Sequence, residues 1–288
     1  MRKIFVLRGA PGSGKSTFIK NNKLEHYAVS SDQLRILFGT TNYDLSGKKD
    51  VPSNNDRIVW ETLWAVVKTR MENGCLIIID ATNCLEREIG DYAKLAKEFQ
   101  YDLKVVDFNV PYDELVERNK LRPELHQVRE EVIQKFYTRK QNKLHGSYQV
   151  ITPEEVIEDL SFKTEDYSKY EKIIPFGDLQ GCFESLNEYF SKNPYNPKYL
   201  YIFVGDYLDR GIENDKVLSF MLEFSKYPNV VRLRGNHEDH LYRWAMGLKS
   251  YSRVFNEETA PQLETAGISK SDVLEFCHTL KDIVRFKY

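Results

Sequence analysis

Short apolar runs alternate with amphipathic stretches along the first half of the chain. Four runs read as strands: Lys3–Arg8, Tyr27–Ser30, Cys75–Ile79 and Leu103–Val110. Between them, five segments read as helices: Gly14–Asn21, Arg57–Glu72, Glu86–Phe99, Tyr112–Asn119 and Arg129–Gln141. In the second of these, Trp60, Leu63, Trp64, Val67 and Met71 recur at i, i+3 and i+4 spacing, a stripe that faces a core. Strand–helix alternation of this kind predicts an α/β fold with a doubly wound parallel sheet. Ligands of such sheets sit at the carboxyl ends of the strands. Gly9 and Asp80 both fall there.

The pattern breaks over residues 146–171. Pro153 to Glu171 carries seven acidic and two basic residues and reads as an acidic linker with one short helix. Alternation then resumes. Lys172–Phe176, Tyr199–Val204 and Asn229–Leu233 read as strands, and Phe183–Ser191, Asn214–Tyr227 and Glu238–Lys249 as helices. The predicted organisation is a first domain over 1–145, the linker, and a second domain over 172–288.

Composition narrows the class. A length of 288 residues suits two domains, and 41% apolar content fills ordinary cores. No run of about 18 apolar residues is present, so no membrane partner is expected. The chain enters a strand at once, without the apolar core of a signal peptide, and its four cysteines lack C-x-x-C spacing. A cytoplasmic protein with reduced thiols is the expectation. Charge is uneven. Residues 1–150 hold 24 Lys and Arg against 20 Asp and Glu, whereas the remainder holds 17 against 23. Within 118–143 there are eight basic and three acidic residues. Such a segment is either a footprint for a polyanion or a solvated helix face.

The chemistry of the first domain starts at Gly9-Ala10-Pro11-Gly12-Ser13-Gly14-Lys15-Ser16-Thr17. This G-x-x-x-x-G-K-[ST] loop lies between a strand and a helix, as its mechanism requires. Its backbone N–H groups and the helix N-terminus favour phosphate, Lys15 can reach the β/γ-phosphates of ATP, and the Ser16 hydroxyl suits Mg²⁺. Asp32 and Arg35 follow the second strand. Asp32 is placed to accept the proton of an attacking hydroxyl, and Arg35 to hold a phosphate. A helix start capped by Ser30 or Ser31 would also explain them. Asp80 follows the apolar strand, just before Thr82-Asn83, and suits the magnesium side of the site. It could instead cap the next helix, as could Thr82 or Asn83. Arg118 and Arg122 stand four residues apart, with Pro123 stopping their helix. They read as charge-neutralising arginines on a flap, or as surface partners of Glu114 and Glu117.

Together, Gly9–Thr17, Ser31-Asp32-x-x-Arg35, Asp80-x-Thr82-Asn83 and Arg118-Asn119-x-x-Arg122-Pro123 resemble the polynucleotide 5′-hydroxyl kinase family. The likeness is to the kinase module of bacterial and phage RNA-repair kinase–phosphatases. It covers residues 1–145 and implies ATP and Mg²⁺ at Lys15 and Ser16. It implies Asp32 as base on a 5′-OH end of RNA or DNA, Arg35 on the acceptor or the transferred phosphate, and Arg118 and Arg122 over the ATP phosphates. A kinase for a small metabolite shares the loop and the Asp-Ala-Thr-Asn element.

The second half carries GDLQG (177–181), GDYLDRG (205–211) and GNHE (235–238), each after a predicted strand. Carboxylate, amide and imidazole groups at one sheet edge suit a site for Mn²⁺ or a similar ion acting on a phosphoester. The clusters resemble the calcineurin-like metallophosphoesterases. That resemblance implies Asp178, Asp206 and Asn236 as metal ligands, Asp209 and His237 as the acid pair, and Arg210 as a phosphate contact. Gln180 stands where the family carries His and would be a weaker ligand. His240 and His278 read as ordinary helix residues. The domain is expected to be truncated, with one sheet face uncovered and an edge unpaired. Weak or absent 3′-phosphatase activity follows, as does the alternative of a docking role for a partner such as a nucleic-acid ligase.

Overall fold

The computed structural model of the chain describes residues 2–39, 42–43, 49–50, 56–123 and 126–288. It divides into two compact units, Met1–Ser161 and Phe162–Tyr288.

The first unit is built on a five-stranded parallel sheet. Its strands are β1 (Lys3–Arg8), β2 (Ala28–Ser30), β5 (Ile77–Asp80), β6 (Asp102–Asp107) and β7 (Gln149–Ile151), in the order β2-β5-β1-β6-β7. A separate antiparallel pair joins β3 (Asn42–Tyr43) to β4 (Lys49–Asp50). The central strands are buried on both faces, which is why their sequences read as continuous apolar runs. Helices α1 (Lys15–Asn21), α2 (Ser31–Phe38), α3 (Asp56–Glu72), α4 (Glu86–Glu98), α5 (Tyr112–Lys120), α6 (Glu130–Lys140) and α7 (Pro153–Leu160) complete the unit. In α3 the fully buried row is Val59, Leu63, Val67 and Met71, while Trp60 and Trp64 pack half-buried beside it. The expected stripe is present, led by Val59.

The segment read as a linker is largely part of this unit. It does contain its short helix, α7. Thr152 precedes Pro153, and the Glu155 carboxylate accepts from the Thr152 N–H at 2.7 Å, a start signal written in the sequence. But β7 pairs with β6 over Lys104↔Gln149 to Val106↔Ile151. Val156 is fully buried with Phe5, Ile78, Val106 and Ile151. Asp159 takes Lys3 Nζ at 2.8 Å and Lys104 Nζ at 2.6 Å. Acidic composition marked a solvated helix face, and the three-residue strand was too short to be read from period alone.

The second unit has a three-stranded parallel sheet. Its strands β9 (Lys172–Phe176), β10 (Tyr199–Phe203) and β11 (Val230–Arg232) take the order β11-β10-β9. On β10, Tyr201 and Phe203 enter a large aromatic core with α8 (Phe183–Lys192), α9 (Asn214–Phe224), α10 (Glu238–Ala245), α11 (Ala260–Thr265) and α12 (Lys270–Thr279). Leu200 and Ile202 face the other way, onto Tyr167, Tyr170 and Val284. A small sheet pairs β8 (Thr164–Asp166) with β12 (Arg285–Lys287). The expectation of an uncovered face and a free edge does not hold in full. Tyr167 and Tyr170 cover part of the face. At the β11 edge, Lys281 N–H donates to Arg232 O at 3.0 Å and Arg234 N–H to Lys281 O at 2.9 Å.

Val156→Ala tests the membership of α7. Removing two buried methyl groups should cost about 2 kcal/mol in chemical denaturation of the first unit. A linker helix would lose nothing.

Candidate functional site

Strand β1 ends at Arg8, and the chain turns at once into the phosphate loop. Gly14 stands at the N-cap of α1 with φ 98°, a left-handed backbone that a side chain would strain. Lys15 is buried, and its Nζ donates to Gly9 O at 2.7 Å, Ala10 O at 3.1 Å and Ser13 Oγ at 3.3 Å. Burial lowers its pKa, opposed by the charge of Asp80. Ala10 packs beside Leu115 and Ile133, Pro11 and Gly12 are half-buried, and Thr17 is exposed in the first turn of α1. Ser16 Oγ donates to Asp80 Oδ2 at 3.0 Å. Burial raises the Asp80 carboxyl, against the pull of Lys15 and Ser16. A hydroxyl and a carboxylate this close are hard oxygen donors, and they fit a divalent cation that keeps most of its waters.

The turn after β5 fastens to this loop. Gly9 N–H donates to Thr82 O at 3.0 Å, and Asn83 Nδ2 donates to Leu7 O at 2.8 Å. Neither Thr82 nor Asn83 caps α4. There the Glu88 carboxylate accepts from the Leu85 N–H at 3.0 Å. Asn83 is instead a buried tie between neighbouring strand ends, in the left-handed region with φ 44°.

Both readings of Asp32 hold at once. Ser30 is the N-cap of α2 and accepts from Gln33 N–H at 3.5 Å, and Asp32 lies in the first turn. Its carboxylate is exposed and takes Arg35 Nη1 at 2.7 Å. Arg35 Nε donates to Asp56 Oδ1 at 2.8 Å. Burial works against the Arg35 charge, but the Asp56 hydrogen bond and the Asp32 charge more than offset it and raise its pKa.

The two flap arginines part company. Arg118 pairs with Glu114 at 2.5 Å, although its Nη1 comes within 3.7 Å of where a Cβ on Gly14 would sit, so it lies over the loop. Arg122 follows the end of α5 and turns inward. Its Nη1 is buried with no hydrogen-bond partner among the described residues. Burial lowers its pKa, opposed by the charges of Asp32 and Asp80. An orphan guanidinium beside Lys15, Asp32 and Asp80 is a ready anion contact. Asn119 fastens the turn behind it. Its Nδ2 donates to Val128 O at 2.8 Å, and its Oδ1 accepts from Val128 N–H at 3.1 Å. The role of Asn119 was hidden because it acts on backbone nine residues away.

In the second unit the three Gly-rich turns meet at the carboxyl ends of β9, β10 and β11. Gly205 and Gly235 touch: a Cβ on Gly205 would lie 2.2 Å from Gly235 N. Gln180, Asp206, Asp209 and Arg210 all adopt left-handed backbone, with φ between 45° and 75°. Asp209 is buried, and its Oδ2 lies 2.7 Å from His237 Nδ1, so the two residues read as an acid pair are in hydrogen-bond contact. Thr259 Oγ1 donates to the other Asp209 oxygen. Nothing in the sequence pointed to Thr259, which arrives from 50 residues away. Asp206 Oδ1 accepts from His237 N–H at 3.1 Å. Asp178, Asn236 and Arg210 are exposed. Gln180 is engaged on both sides, donating to Asp178 Oδ2 at 3.3 Å and accepting from Arg210 Nη1 at 3.4 Å. His240 lies on α10 with its ring 6.0 Å from that of His237, and His278 lies on α12. Among the described residues, no three His, Cys, Asp or Glu side chains gather as a metal cage. The donors Asp178, Asp206, Asn236 and Gln180 fit a weakly held hard cation and not a transition ion that demands imidazole.

Glu238 carries the turn geometry. It is buried, and its carboxylate accepts from Asp206 N–H at 2.9 Å, Tyr207 N–H at 2.9 Å and Gly235 N–H at 2.7 Å. Burial pushes its carboxyl up to about 7, against the pull of those donors. The GNHE motif contained this residue, but its role shows only in the fold. Glu238→Gln should lower the stability of the second unit by about 1–3 kcal/mol in denaturant titration, because an amide cannot satisfy three buried N–H groups. An unchanged midpoint would contradict that role.

Residues 4–142 match the AAA domain family, and residues 171–285 match the calcineurin-like phosphoesterase family. The chain is 44% identical over 68 residues to serine/threonine-protein phosphatase PP1-delta of Caenorhabditis elegans, covering 23% of this chain and 22% of that protein. It is 40% identical over 80 residues to the mouse serine/threonine-protein phosphatase with EF-hands 2, covering 27% of this chain and 11% of the relative. The chain thus spans less than a quarter of the length of these relatives. Among solved structures, the Pnkp1/Rnl/Hen1 RNA repair complex is similar at TM-score 0.40 and 18% identity, over 87% of this chain and 95% of that one. The ATP complex of AvrRxo1-ORF1:-ORF2 is similar at TM-score 0.40 and 13% identity, over 98% and 81%. The two domain matches imply use of a nucleotide and a divalent metal. The chain therefore carries, in order, a segment similar to the AAA domain family over residues 4–142 and one similar to the calcineurin-like phosphoesterase family over residues 171–285.

Proposed function

We propose that the first domain transfers the γ-phosphate of ATP to the 5′-hydroxyl end of RNA or DNA. One observation carries this reading: Asp32, paired to Arg35, and Arg122, whose buried Nη1 has no hydrogen-bond partner among the described residues, lie near Lys15 and Asp80. A base for a hydroxyl and a cation for a transferring phosphoryl group thus flank the phosphate loop.

Lys15 leaves its loop carbonyls for the β/γ-phosphates when ATP enters. Ser16 and Asp80 would hold Mg²⁺, which when bound neutralises charge on the phosphate oxygens. Asp32 takes the proton of the attacking hydroxyl as the new O–P bond forms and the bond to the ADP oxygen breaks. Arg35 orients Asp32 and faces the acceptor. Arg122 offsets charge developing on the equatorial oxygens. The choice of a polynucleotide acceptor rests on the Asp32–Arg35 pair and on the motif resemblance.

Labelled-ATP transfer to matched 5′-OH RNA and DNA oligonucleotides tests the assignment. Wild type should transfer label, and Asp32→Ala should lose about 10²–10⁴-fold in kcat while still binding ATP. Full transfer by Asp32→Ala, or phosphorylation of a small metabolite with the oligonucleotide ignored, would overturn it.

The phosphoesterase domain is proposed to be a weak phosphatase, because Gln180 replaces an expected histidine and is already committed to Asp178 and Arg210. Hydrolysis of p-nitrophenyl phosphate with added Mn²⁺ should stay near background. Robust turnover, abolished by Asp206→Ala, would refute this.

A further inference from the structure

Arg35 is gripped from two helices. Its Nη1 donates to Asp32 at 2.7 Å and to Ser31 Oγ at 3.4 Å, both within α2. Its Nε donates to Asp56 at 2.8 Å, the first residue of α3. We infer that Asp56 is a positioning residue of the phosphoryl-acceptor site: it fixes the plane of the Arg35 guanidinium and, through it, the Asp32 carboxylate. This inference rests on the reading of the first domain as a kinase acting on a hydroxyl.

Three observations support it. First, the two helices differ in anchorage. Helix α2 has eight residues, and Leu37 on it is 74% exposed. Helix α3 has 17 residues and buries Val59, Leu63, Val67 and Met71 completely. A carboxylate on the rigid helix can hold a cation on the less anchored one. Asp56 is itself well placed, because a helix N-terminus favours a carboxylate.

Second, the donor count is specific. A guanidinium has five N–H groups in a fixed fork. Nε is taken by Asp56, and Nη1 by Asp32 and Ser31. Among the described residues Nη2 has no hydrogen-bond partner, so one edge of the fork remains for an incoming anion. Without Asp56 the guanidinium could rotate about its stem and offer that edge elsewhere, taking Asp32 with it.

Third, the pair is poorly suited to a stabilising role. The Asp56 side chain is 48% exposed, and ion pairs with an exposed partner add little to stability. Its removal should therefore show in acceptor use and not in unfolding. A misplaced catalytic group is costly even when the fold is intact.

The test is steady-state kinetics of the full chain with a 5′-OH oligonucleotide, comparing wild type, Asp56→Asn, Asp56→Glu, Arg35→Gln and the Asp56→Asn/Arg35→Gln double variant. Asp56→Asn should lower kcat/KM for the acceptor about tenfold, equivalent to about 1.4 kcal/mol. KM for ATP and the melting temperature should not move. Asp56→Glu should recover part of the loss. The double variant should be no worse than Arg35→Gln alone, because Asp56 acts through Arg35. Wild-type acceptor kinetics in Asp56→Asn, a matching rise in KM for ATP, or additive losses in the double variant would each overturn the inference. If wild type itself transfers no phosphate to any acceptor, the kinase reading fails and this inference fails with it. If wild type is active and Asp56→Asn is unaffected, only the inference fails.

Discussion

Parallel pairing of β5 with its two neighbours sets the geometry of the first unit. The register Ile4↔Ile77 to Val6↔Ile79 makes β1 and β5 end side by side, so Gly9 N–H reaches Thr82 O and Ser16 reaches Asp80. The register Ala28↔Ile78 to Ser30↔Asp80 does the same on the other flank. It delivers the first turn of α2, with Asp32, to the edge where Asp80 already stands. A slip of one residue in either ladder would turn the buried side chains over and separate these groups. The sheet core of Ile4, Val6, Ile77 and Ile79, all fully buried, therefore fixes the spacing of the polar groups beyond it. The orphan Arg122 completes the arrangement from the far side, held through Asn119 and Val128.

The second unit reuses the same device with more backbone strain. Its turns place Gln180, Asp206, Asp209 and Arg210 in left-handed conformation. Such residues cost of order 1–3 kcal/mol each and persist only where surrounding structure imposes them. Glu238 supplies much of that constraint by binding three backbone N–H groups of two turns. Asp209 is then gripped between His237 and Thr259. The Asp209–His237 pair is thus well organised, whereas Asp178 and Asn236 lie exposed and Gln180 bonds Asp178 and Arg210. That contrast is the physical basis for expecting little phosphatase turnover.

The basic run over 118–143 illustrates how folding redistributes charge. Lys140 is buried and joined to Asp107 with Arg8, Arg118 pairs with Glu114, and Lys120 with Glu117. Arg122 turns into the phosphate site. Arg129, Lys135 and Lys143 remain exposed. Of the eight basic residues read from composition, Arg129, Lys135 and Lys143 are exposed with no ion pair among the described residues, and Arg118 and Lys120 are exposed but paired to carboxylates. Charge density along a chain does not survive as charge density on a surface, because a cation next to a strand end finds a carboxylate within the fold.

The sequence by itself determined the parallel sheet of the first unit, the three strands of the second, the phosphate loop and the position of the three Gly-rich turns. Those features are local: continuous apolar runs, glycines at turns and ligands at strand ends are all set by neighbours in the chain. It located Lys15, Ser16, Asp80, Asp32, Asp209 and His237 in the segments that follow or end the parallel strands. Only the tertiary structure decided what those groups touch. It separated Arg122, whose Nη1 has no hydrogen-bond partner among the described residues, from Arg118 in an ion pair, two arginines that motif spacing treats alike. It brought Asp56 to Arg35 across 21 residues and Thr259 to Asp209 across 50, and it placed an outer strand and a helix of the first unit within the supposed linker. Hydrogen bonds between distant segments depend on how elements pack, and packing leaves no periodic trace in the chain.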